Sequence, residues 1–442
     1  MSDIHRQLIL DQCRAFQEAK PVPPFIPGQT YIPVTGKILD ADDLVNLVDA
    51  SLDMWLTMGR FGEQFEEEIA KAFGTRNARL TVSGSAANLL AFTALTSPKI
   101  DNKFDKPRIM PGDEVLTVAA GFPTTVAPIV QNRCVPVFVD VDVATHNVDV
   151  AKLAAAVTDK TRAIMLAHSL GNPFDLGAVM ELVKKHNLWL IEDCCDAFGA
   201  TYNGQNIGTF GDIATLSFYP AHHITMGEGG AVLMDSGGLK RIVESFRDWG
   251  RDCWCAPGKD NTCGKRFDWQ LGDLPLGYDH KYIYSHLGYN LKVTDMQAAV
   301  GLSQLKKLSR FVAARRGNFD ELTKAFKAQR MDEHFILPQA TPNSNPSWFG
   351  FLMTIKDSSP LKRRDVVRYL EDNKIGTRLL FAGNLARQPA FAEVNYRIHG
   401  ELKHTDKVMN DSFWIGVWPG IDETRRAYMI ETFGRMLKEM VR

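Results

Sequence analysis

The fold of this chain is decided by the stretch TLSFYPAHHITMGEGG at residues 215–230. Its first residues are apolar enough for a short buried strand, and the proline and glycines that follow favour a turn. No lysine occurs between residues 186 and 239, so the turn presents His222 without a primary amine nearby in the sequence. An imidazole has an unperturbed pKa of about 6.5 and accepts protons near neutral pH. We therefore expect a buried strand followed by a histidine that could act as a base.

Short apolar segments alternate with helical ones between about residues 40 and 235. The expected strands lie at 114–119, 135–139, 163–167, 188–191 and 213–218. This alternation is typical of a mostly parallel α/β sheet with helices on both faces. Cofactor sites in such sheets collect at the carboxyl ends of the strands, so polar residues that follow these strands are the first candidates for a site.

The changes in pattern along the chain predict three parts. Residues 1–39 form an N-terminal helix and a proline-rich arm, residues 40–317 a large cofactor-binding α/β domain, and residues 318–442 a small α+β domain. Within the large domain, residues 251–289 are rich in glycine, aspartate, cysteine and aromatic residues and lack periodicity. We interpret this segment as a long functional loop.

The composition is that of an ordinary soluble globular protein. The chain has 442 residues, 45% of them hydrophobic and 23% charged, with a formal net charge of -1. A neutral balance provides no global field to attract nucleic acid or a membrane surface. The charged N-terminus and the absence of a long apolar run predict a cytoplasmic location. In that compartment the seven cysteines are expected to be thiols or metal ligands rather than disulfides.

The stretch at 215–230 resembles the cofactor-lysine segment of the sugar aminotransferase branch of the fold-type I pyridoxal phosphate enzymes. The resemblance runs from about residue 61 to 308 and implies a mostly parallel seven-stranded sheet. Where those enzymes have the lysine, this chain has His222, so a Schiff base with the protein is unavailable. A histidine is often only a satisfied structural residue, but its position within the resemblance implies a catalytic base.

The resemblance also implies a set of cofactor-binding residues. Small residues at a predicted helix start suit a phosphate, although a plain helix cap explains them equally well from local sequence alone. In the family, the equivalents of Gly84, Ser85 and Ser217 hold the cofactor phosphate. The equivalent of Asp193 pairs with the pyridine nitrogen, which keeps the ring able to accept electron density. Phe122 matches the aromatic residue that stacks on the ring.

Five further residues receive roles from the same resemblance. Asn290 matches a residue that approaches the cofactor of a neighbouring subunit, which implies a homodimer with shared sites. Asp196 and Tyr219 lie beside cofactor positions and are candidates for guiding proton transfer. Arg378 and Arg387 are candidates for binding a diphosphate through paired hydrogen bonds, although surface arginines are common.

Four cysteines form the pattern C-x57-C-x-C-x7-C, namely Cys195, Cys253, Cys255 and Cys263. Spacing alone leaves open an iron-sulfur cluster, a structural zinc ion or unrelated buried thiols. The pattern and the missing lysine together resemble the iron-sulfur 3-dehydrases of CDP-4-keto-6-deoxyhexoses, which act in 3,6-dideoxyhexose biosynthesis. That resemblance implies a [2Fe-2S] cluster on these four residues, and only the family spacing selects Cys195 over its neighbour Cys194.

The resemblance implies a reductive dehydration at C3 of a CDP-4-keto-6-deoxyhexose. Pyridoxamine phosphate (PMP), the amine form of pyridoxal phosphate (PLP), would be bound without a covalent link. A separate NADH-dependent flavin and iron-sulfur reductase would supply electrons. One alternative is a cluster-free PMP-dependent 3-dehydratase of the GDP-sugar type. Another, from a different class, is a catalytically silent aminotransferase-like binding protein. Neither nucleic acid nor a membrane is expected as a partner.

Overall fold

The computed structural model describes residues 2–101, 103–255 and 258–441. It contains a large sheet with helices on both faces, and a smaller antiparallel sheet toward the C-terminus. The strands are β1 (Asn77–Thr81), β2 (Glu114–Val118), β3 (Val135–Val139), β4 (Thr161–Ala167), β5 (Trp189–Asp193), β6 (Thr201–Tyr202), β7 (Gln205–Asn206), β8 (Ile213–Ser217), β9 (Gly230–Met234), β10 (Phe335–Ile336), β11 (Ser344–Asn345), β12 (Gly350–Ile355), β13 (Arg397–Ile398) and β14 (Ser412–Gly416).

The helices surround these strands and alternate with them in the first half of the chain. They are α1 (Ser2–Glu18), α2 (Ala41–Leu52), α3 (Arg60–Phe73), α4 (Gly84–Ala94), α5 (Pro123–Gln131), α6 (Val150–Ala155), α7 (Leu176–His186), α8 (Gly237–Arg247), α9 (Asp295–Leu305), α10 (Leu308–Ala328), α11 (Arg363–Asp372), α12 (Lys403–Asp411) and α13 (Glu423–Met440). None of the helices in the described ranges has the length and apolar character needed to cross a membrane.

The large sheet has the order β1-β9-β8-β5-β4-β2-β3-β13. Its central strands pair in parallel, whereas β9 pairs antiparallel with both β1 and β8. The mostly parallel α/β fold predicted from the sequence is therefore confirmed. The sheet has eight strands rather than seven, because β13 adds two residues beside β3. Two hydrogen bonds from Arg397 to the carboxylate of Glu114 (2.9 and 2.7 Å) hold this added strand at the edge.

Apolar side chains cover both faces of the large sheet. On one face, α3 buries Phe61, Phe65, Ile69 and Phe73, which recur every four residues and so lie along one side of the helix. The helix ends at Gly74, whose φ of +87° is a backbone conformation that glycine adopts without a steric penalty. On the other face, α4, α5 and α8 pack their apolar residues against the same strands. The sheet is thus buried on both sides, as parallel sheets require.

The C-terminal part of the chain forms the antiparallel sheet β10-β12-β14 with its own apolar core. The division of the chain into parts at residues 39 and 317 stays a prediction, and the second boundary falls inside α10. The described part of residues 251–289 contains one regular element, the 3-10 helix His280–Tyr282. This agrees with the irregular loop expected there.

Parallel pairing brings the ends of β4, β5 and β8 to the same edge of the large sheet. Ala167, the last residue of β4, pairs with Asp193, the last residue of β5, and Asp193 in turn pairs with Thr215 of β8. Ser217 ends β8 two residues later. The polar residues that the sequence places after separate strands therefore meet at one edge, where a site is expected.

Candidate active site

A cavity of about 690 Å³ opens at this edge of the sheet. Small-molecule sites in proteins commonly have this size and position. It is lined by most of the residues predicted from the sequence: Gly84, Ser85, Phe122, Asp193, Cys195, Asp196, Ser217, Tyr219, His222 and Arg378. The structure thus brings ten of the predicted side chains or backbone positions to one site.

His222 lies in the turn after β8 and faces Asp196. Its backbone N–H donates to the carbonyl of Tyr219 (2.9 Å), which forms the turn. Its Nδ1 lies 3.4 Å from Oδ1 of Asp196 and is buried without an aligned hydrogen bond. The guanidinium of Arg315 in α10 donates a hydrogen bond to the backbone carbonyl oxygen of His222 (3.4 Å). The histidine is therefore fixed by its backbone, and its ring borders the cavity.

The protonation states of His222 and Asp196 are set mainly by their burial. Burial lowers the pKa of His222 to about 4; the negative charge of Asp193 opposes this change and the positive charge of Arg315 adds to it. Burial also raises the pKa of Asp196 to about 8, with repulsion from Asp193 adding to the rise and Arg315 opposing it. At neutral pH the imidazole is therefore uncharged and the Asp196 carboxyl carries its proton. A neutral imidazole can accept a proton.

Asp193 is held in place by hydrogen bonds to both of its carboxylate oxygens. Asn88 Nδ2 and Thr125 Oγ1 both donate to Oδ2, over 2.8 and 2.7 Å, and the backbone N–H of Cys195 donates to Oδ1 over 3.1 Å. Asn88 is itself fixed, because its Oδ1 accepts a hydrogen bond from Thr215 (2.6 Å). The sequence analysis did not identify Asn88, Thr125 or Thr215. Their types suit buried hydrogen bonds, but nothing in their spacing points to Asp193.

The start of α4 lies close to the end of β8 at the edge of the cavity. A methyl group on Gly84 would lie 2.4 Å from Cβ and 2.8 Å from Oγ of Ser217, so only glycine fits here without a shift. Ser83 caps the helix by accepting a hydrogen bond from the N–H of Ala86 (3.0 Å). The first N–H groups of a helix have no acceptor within the helix. Those of Gly84 and Ser85 are therefore suited to a phosphate.

Aromatic side chains form an apolar wall of the cavity. Phe122 precedes α5 and is 49% exposed, and its ring meets the ring of Phe381 edge to face at 5.5 Å between centroids. Phe349 and Trp414 also line the cavity. An exposed aromatic side chain, an anchored carboxylate and free N–H groups at a helix start lie around one cavity, and this set of groups would suit PMP or PLP.

Two of the residues predicted to bind the cofactor or the substrate lie outside this cavity. Asn290 is exposed, pairs through its backbone with Asp248, and accepts a hydrogen bond from Lys292 (2.8 Å). The guanidinium of Arg387 is paired with both carboxylate oxygens of Asp406, at 2.7 and 2.5 Å. Of the two arginines proposed for a diphosphate, only Arg378 borders the cavity.

The four predicted cysteine ligands are divided between two places in the structure. Cys195 lines the large cavity next to Asp196. A second, small cavity is lined by Cys253, Cys255 and Cys263 together with His280, Asp260, Asn261, Arg266 and Lys281. Cys195 and the three loop cysteines therefore line different cavities, and the histidine in the small cavity was not identified from the sequence.

Comparison with known proteins gives one family match and close relatives. A sequence profile of the DegT/DnrJ/EryC1/StrS aminotransferase family matches residues 38–433. The lipopolysaccharide biosynthesis protein RfbH of Salmonella typhimurium is 58% identical over 416 residues, which cover 94% of each chain. A dTDP-4-dehydro-2,6-dideoxy-D-glucose 3-dehydratase of Saccharopolyspora spinosa is 52% identical over 429 residues, which cover 97% of this chain and 91% of that protein.

A solved structure shares the fold over most of the chain. The E. coli GDP-4-keto-6-deoxy-D-mannose-3-dehydratase with bound hydrated PLP matches with a TM-score of 0.80 and 30% sequence identity. The match covers 91% of this chain and 100% of that chain. The likeness therefore extends over most of this chain and all of the other.

Proposed function

This chain belongs to the DegT/DnrJ/EryC1/StrS aminotransferase family of fold-type I PLP enzymes, and we propose that it is a PMP-dependent 3-dehydratase of a nucleotide-linked 4-keto-6-deoxy sugar. The observation that carries this proposal is His222. The turn after β8 places an imidazole in the cavity, and the described residues that line the cavity include no lysine. Transamination by a protein lysine is therefore replaced by proton transfer to a histidine.

The names of two matched proteins support dehydration at C3. One is named as a 3-dehydratase of a dTDP-linked 4-dehydro sugar and the other as a 3-dehydratase of a GDP-linked 4-keto sugar. Bound PMP would supply an amine for the C4 ketone of the sugar, and a ring that accepts the electrons released when its C4′ carbon loses a proton, so that the C3 hydroxyl can leave.

The described residues have separate roles in this proposal. His222 accepts the proton from C4′, because its ring is neutral at working pH and borders the cavity. Asp196 lies beside Nδ1 of His222, and the raised pKa of its carboxyl, about 8, keeps it uncharged next to the base. Asp193 would hold the pyridine nitrogen, and Ser217 with the start of α4 would hold the phosphate. Tyr219, which is 52% exposed at the cavity, is in position to guide proton transfer.

We make two more specific proposals, one about the identity of the substrate and one about the need for a reductant. The resemblance described above favours a CDP-4-keto-6-deoxyhexose, an NADH-dependent flavin and iron-sulfur reductase, and a [2Fe-2S] cluster. The predicted ligands of that cluster line two cavities, Cys195 the large one and the other three cysteines the small one. No step is therefore assigned to the cluster, and a dehydratase without a reductant is the second candidate. A cytoplasmic location stays a prediction.

We also propose a homodimer in which Asn290 reaches the cavity of the partner. Asn290 is exposed and outside the cavity of its own chain, which agrees with a role across an interface. Exposed apolar residues at Trp55, Leu56 and Leu287 provide surface that association would cover. The molar mass in solution tests this proposal.

The decisive experiment follows the C4′ proton of the cofactor and the C3 oxygen of the sugar. The chain is loaded with PMP and incubated with the CDP, dTDP and GDP forms of a 4-keto-6-deoxyhexose, with and without an NADH-dependent flavin and iron-sulfur reductase. Exchange of the C4′ proton with solvent and loss of the C3 oxygen support dehydration. A 3-deoxy ketosugar that forms only with the reductase supports the reductive form. Bound PMP without exchange or product would instead indicate a silent binding protein.

A further inference from the structure

The N-terminal arm is fixed to the C-terminal part of the chain. The backbone N–H of Ile32 donates to the carbonyl of Lys374 (2.8 Å), and the carbonyl of Ile32 accepts from the N–H of Gly376 (2.9 Å). One residue later, the carbonyl of Pro33 accepts from the indole N–H of Trp418 (2.9 Å), which is 385 residues further along the chain. The arm therefore has a defined path around residue 33, although its sequence predicts no regular structure.

The next residues bring the arm to the large cavity on the side of His222. Val34 is buried in an apolar cluster that includes Phe349 and Trp414. The ring of Phe349 lies 5.3 Å from the ring of His222, measured between centroids. Thr35 follows Val34 and lines the same cavity as His222. The arm therefore reaches the site close to the proposed base.

The residues after Thr35 continue along the turn that contains His222. Residues 36–38 line a third cavity, of about 10 Å³, together with that histidine. The chain also lies directly on an aromatic ring at this point, because an added methyl group on Gly36 would be 2.6 Å from the indole of Trp418. Thr35 is therefore held near His222 by packed residues on both of its sides.

The hydroxyl of Thr35 is available to a ligand. Thr35 is partly buried at the cavity, and its hydroxyl makes no hydrogen bond to any residue in the described ranges. A hydroxyl group both donates and accepts hydrogen bonds, and the few polar groups that line a ligand cavity commonly fix the orientation of the ligand. Because Thr35 lies near His222, the ligand group that it meets should be close to the reacting carbon atoms.

The chemistry of the sugar limits which group this hydroxyl can bind. A 4-keto-6-deoxyhexose that is linked to a nucleotide at C1 has hydroxyl groups only at C2 and C3. In the proposed dehydration the C3 hydroxyl leaves, so the C2 hydroxyl is the one that stays on the sugar next to the reacting carbon. We propose that the Thr35 hydroxyl binds the C2 hydroxyl of the sugar, and that the N-terminal arm thereby selects substrates that have this group. This inference rests on the proposed function and makes its substrate class more specific.

The test compares two substrates that differ only in the C2 hydroxyl. The PMP-loaded chain receives the nucleotide-linked 4-keto-6-deoxyhexose that it converts best, or the 2-deoxy form of that sugar, and loss of the C3 oxygen gives kcat and KM for each. Binding of both sugars to PMP-loaded His222→Asn, which should not turn them over, gives their dissociation constants. The wild-type chain should prefer the 2-hydroxy sugar by about five- to tenfold, mainly through KM, as expected for one hydrogen bond between neutral groups. The dissociation constants should show the same preference.

Thr35→Val should abolish this preference by weakening the binding of the 2-hydroxy sugar alone, because valine keeps the shape of threonine without its hydroxyl. Thr35→Ser keeps a hydroxyl and should retain the preference. The matched control is Thr124→Val in α5, since Thr124 lines the same cavity and its hydroxyl also makes no hydrogen bond to the described residues. That variant should keep the ratio of the two sugars at its wild-type value.

Equal use of the two sugars by the wild-type chain would overturn the inference, and so would a preference that Thr35→Val leaves unchanged. Thermal unfolding identifies a variant that does not fold, and the comparison of the two sugars in the wild-type chain needs no variant. A chain that neither binds nor converts either sugar would contradict the proposed function, and this inference with it. Conversion of both sugars at equal kcat/KM would instead support the dehydration and reject only the role of Thr35.

Discussion

Nδ1 of His222 lies 3.4 Å from Oδ1 of Asp196, at the edge of the large cavity. The two groups have pKa values displaced in opposite directions, to about 4 for the imidazole and about 8 for the carboxyl. Between these values the imidazole is neutral and the neighbouring carboxyl is protonated. The pair can therefore receive a proton at His222 while Asp196 stays uncharged.

His222→Asn should abolish exchange of the C4′ proton while leaving PMP binding nearly intact. Removal of a general base typically costs about 10²- to 10⁴-fold in rate, and an amide has no comparable basicity. Exchange is measured by NMR in deuterated buffer. The adjacent His223 provides the control, because its Nε2 contacts the carbonyl of Ser347 (2.9 Å) and does not border the large cavity. His223→Asn should lower thermal stability but keep exchange; equal loss in both variants would contradict the role of His222.

The pH dependence of kcat/KM should show two limbs. Below pH about 4 the rate should fall as His222 becomes protonated and can no longer accept a proton. Above pH about 8 it should fall as Asp196 loses its proton. An asparagine at position 196 cannot ionise, so the Asp196→Asn variant should lack the alkaline limb. Its acid limb should stay at the same pH as in the wild type. An unchanged alkaline limb in that variant would assign it to another group.

Arg315→Met should move both limbs to higher pH. The buried positive charge of Arg315 lowers the pKa of His222 and of Asp196, so its removal should raise both. Arg316→Met is the matched control, since Arg316 donates to the carbonyls of Pro346, Gly199 and Asn345. The profile of that control should stay in place. A shift of only one limb would show that Arg315 does not act on the two groups together.

Thr125→Val should weaken PMP binding by roughly tenfold. The substitution removes a hydrogen bond to the Asp193 carboxylate, and a hydrogen bond to a charged group contributes about 1.5 kcal/mol or more. Thr117→Val is the control in the same cavity, because the hydroxyl of Thr117 is buried without a hydrogen bond. Titration of the absorbance of PMP compares the two. If the two variants bound PMP with equal affinity, Asn88 and the backbone N–H of Cys195 would suffice to hold Asp193.

Gly84→Ala should remove the preference for the phosphorylated cofactor. The added methyl group would lie 2.4 Å from Cβ of Ser217 and force the start of α4 away from β8. The control is Gly237→Ala at the first residue of α8, where an added methyl group has no neighbour within 4 Å. The measured quantity is the ratio of affinities for PMP and for pyridoxamine. A ratio that is unchanged in Gly84→Ala would place the phosphate elsewhere.

The sequence was sufficient to predict the fold and to predict that residues at the ends of neighbouring strands lie close together. Asp193, Ser217 and His222 come directly at or after β5 and β8, and parallel pairing alone brings such positions together. The residues that hold them were not predictable in this way. Arg315 reaches the carbonyl of His222 from 93 residues further along the chain, and such a contact leaves no mark on local hydropathy. The grouping of Cys195 with the loop cysteines came from the family resemblance and stays a prediction.

Helix α10 has a consequence for protein engineering. It continues without interruption past residue 318, and one of its side chains, Arg315, holds the backbone of His222. A hybrid enzyme that joined the C-terminal part of one family member to the N-terminal part of another at residue 318 would divide this helix. A junction after Ala328 would keep α10 whole and leave Arg315, which holds the backbone of His222, in its parent chain.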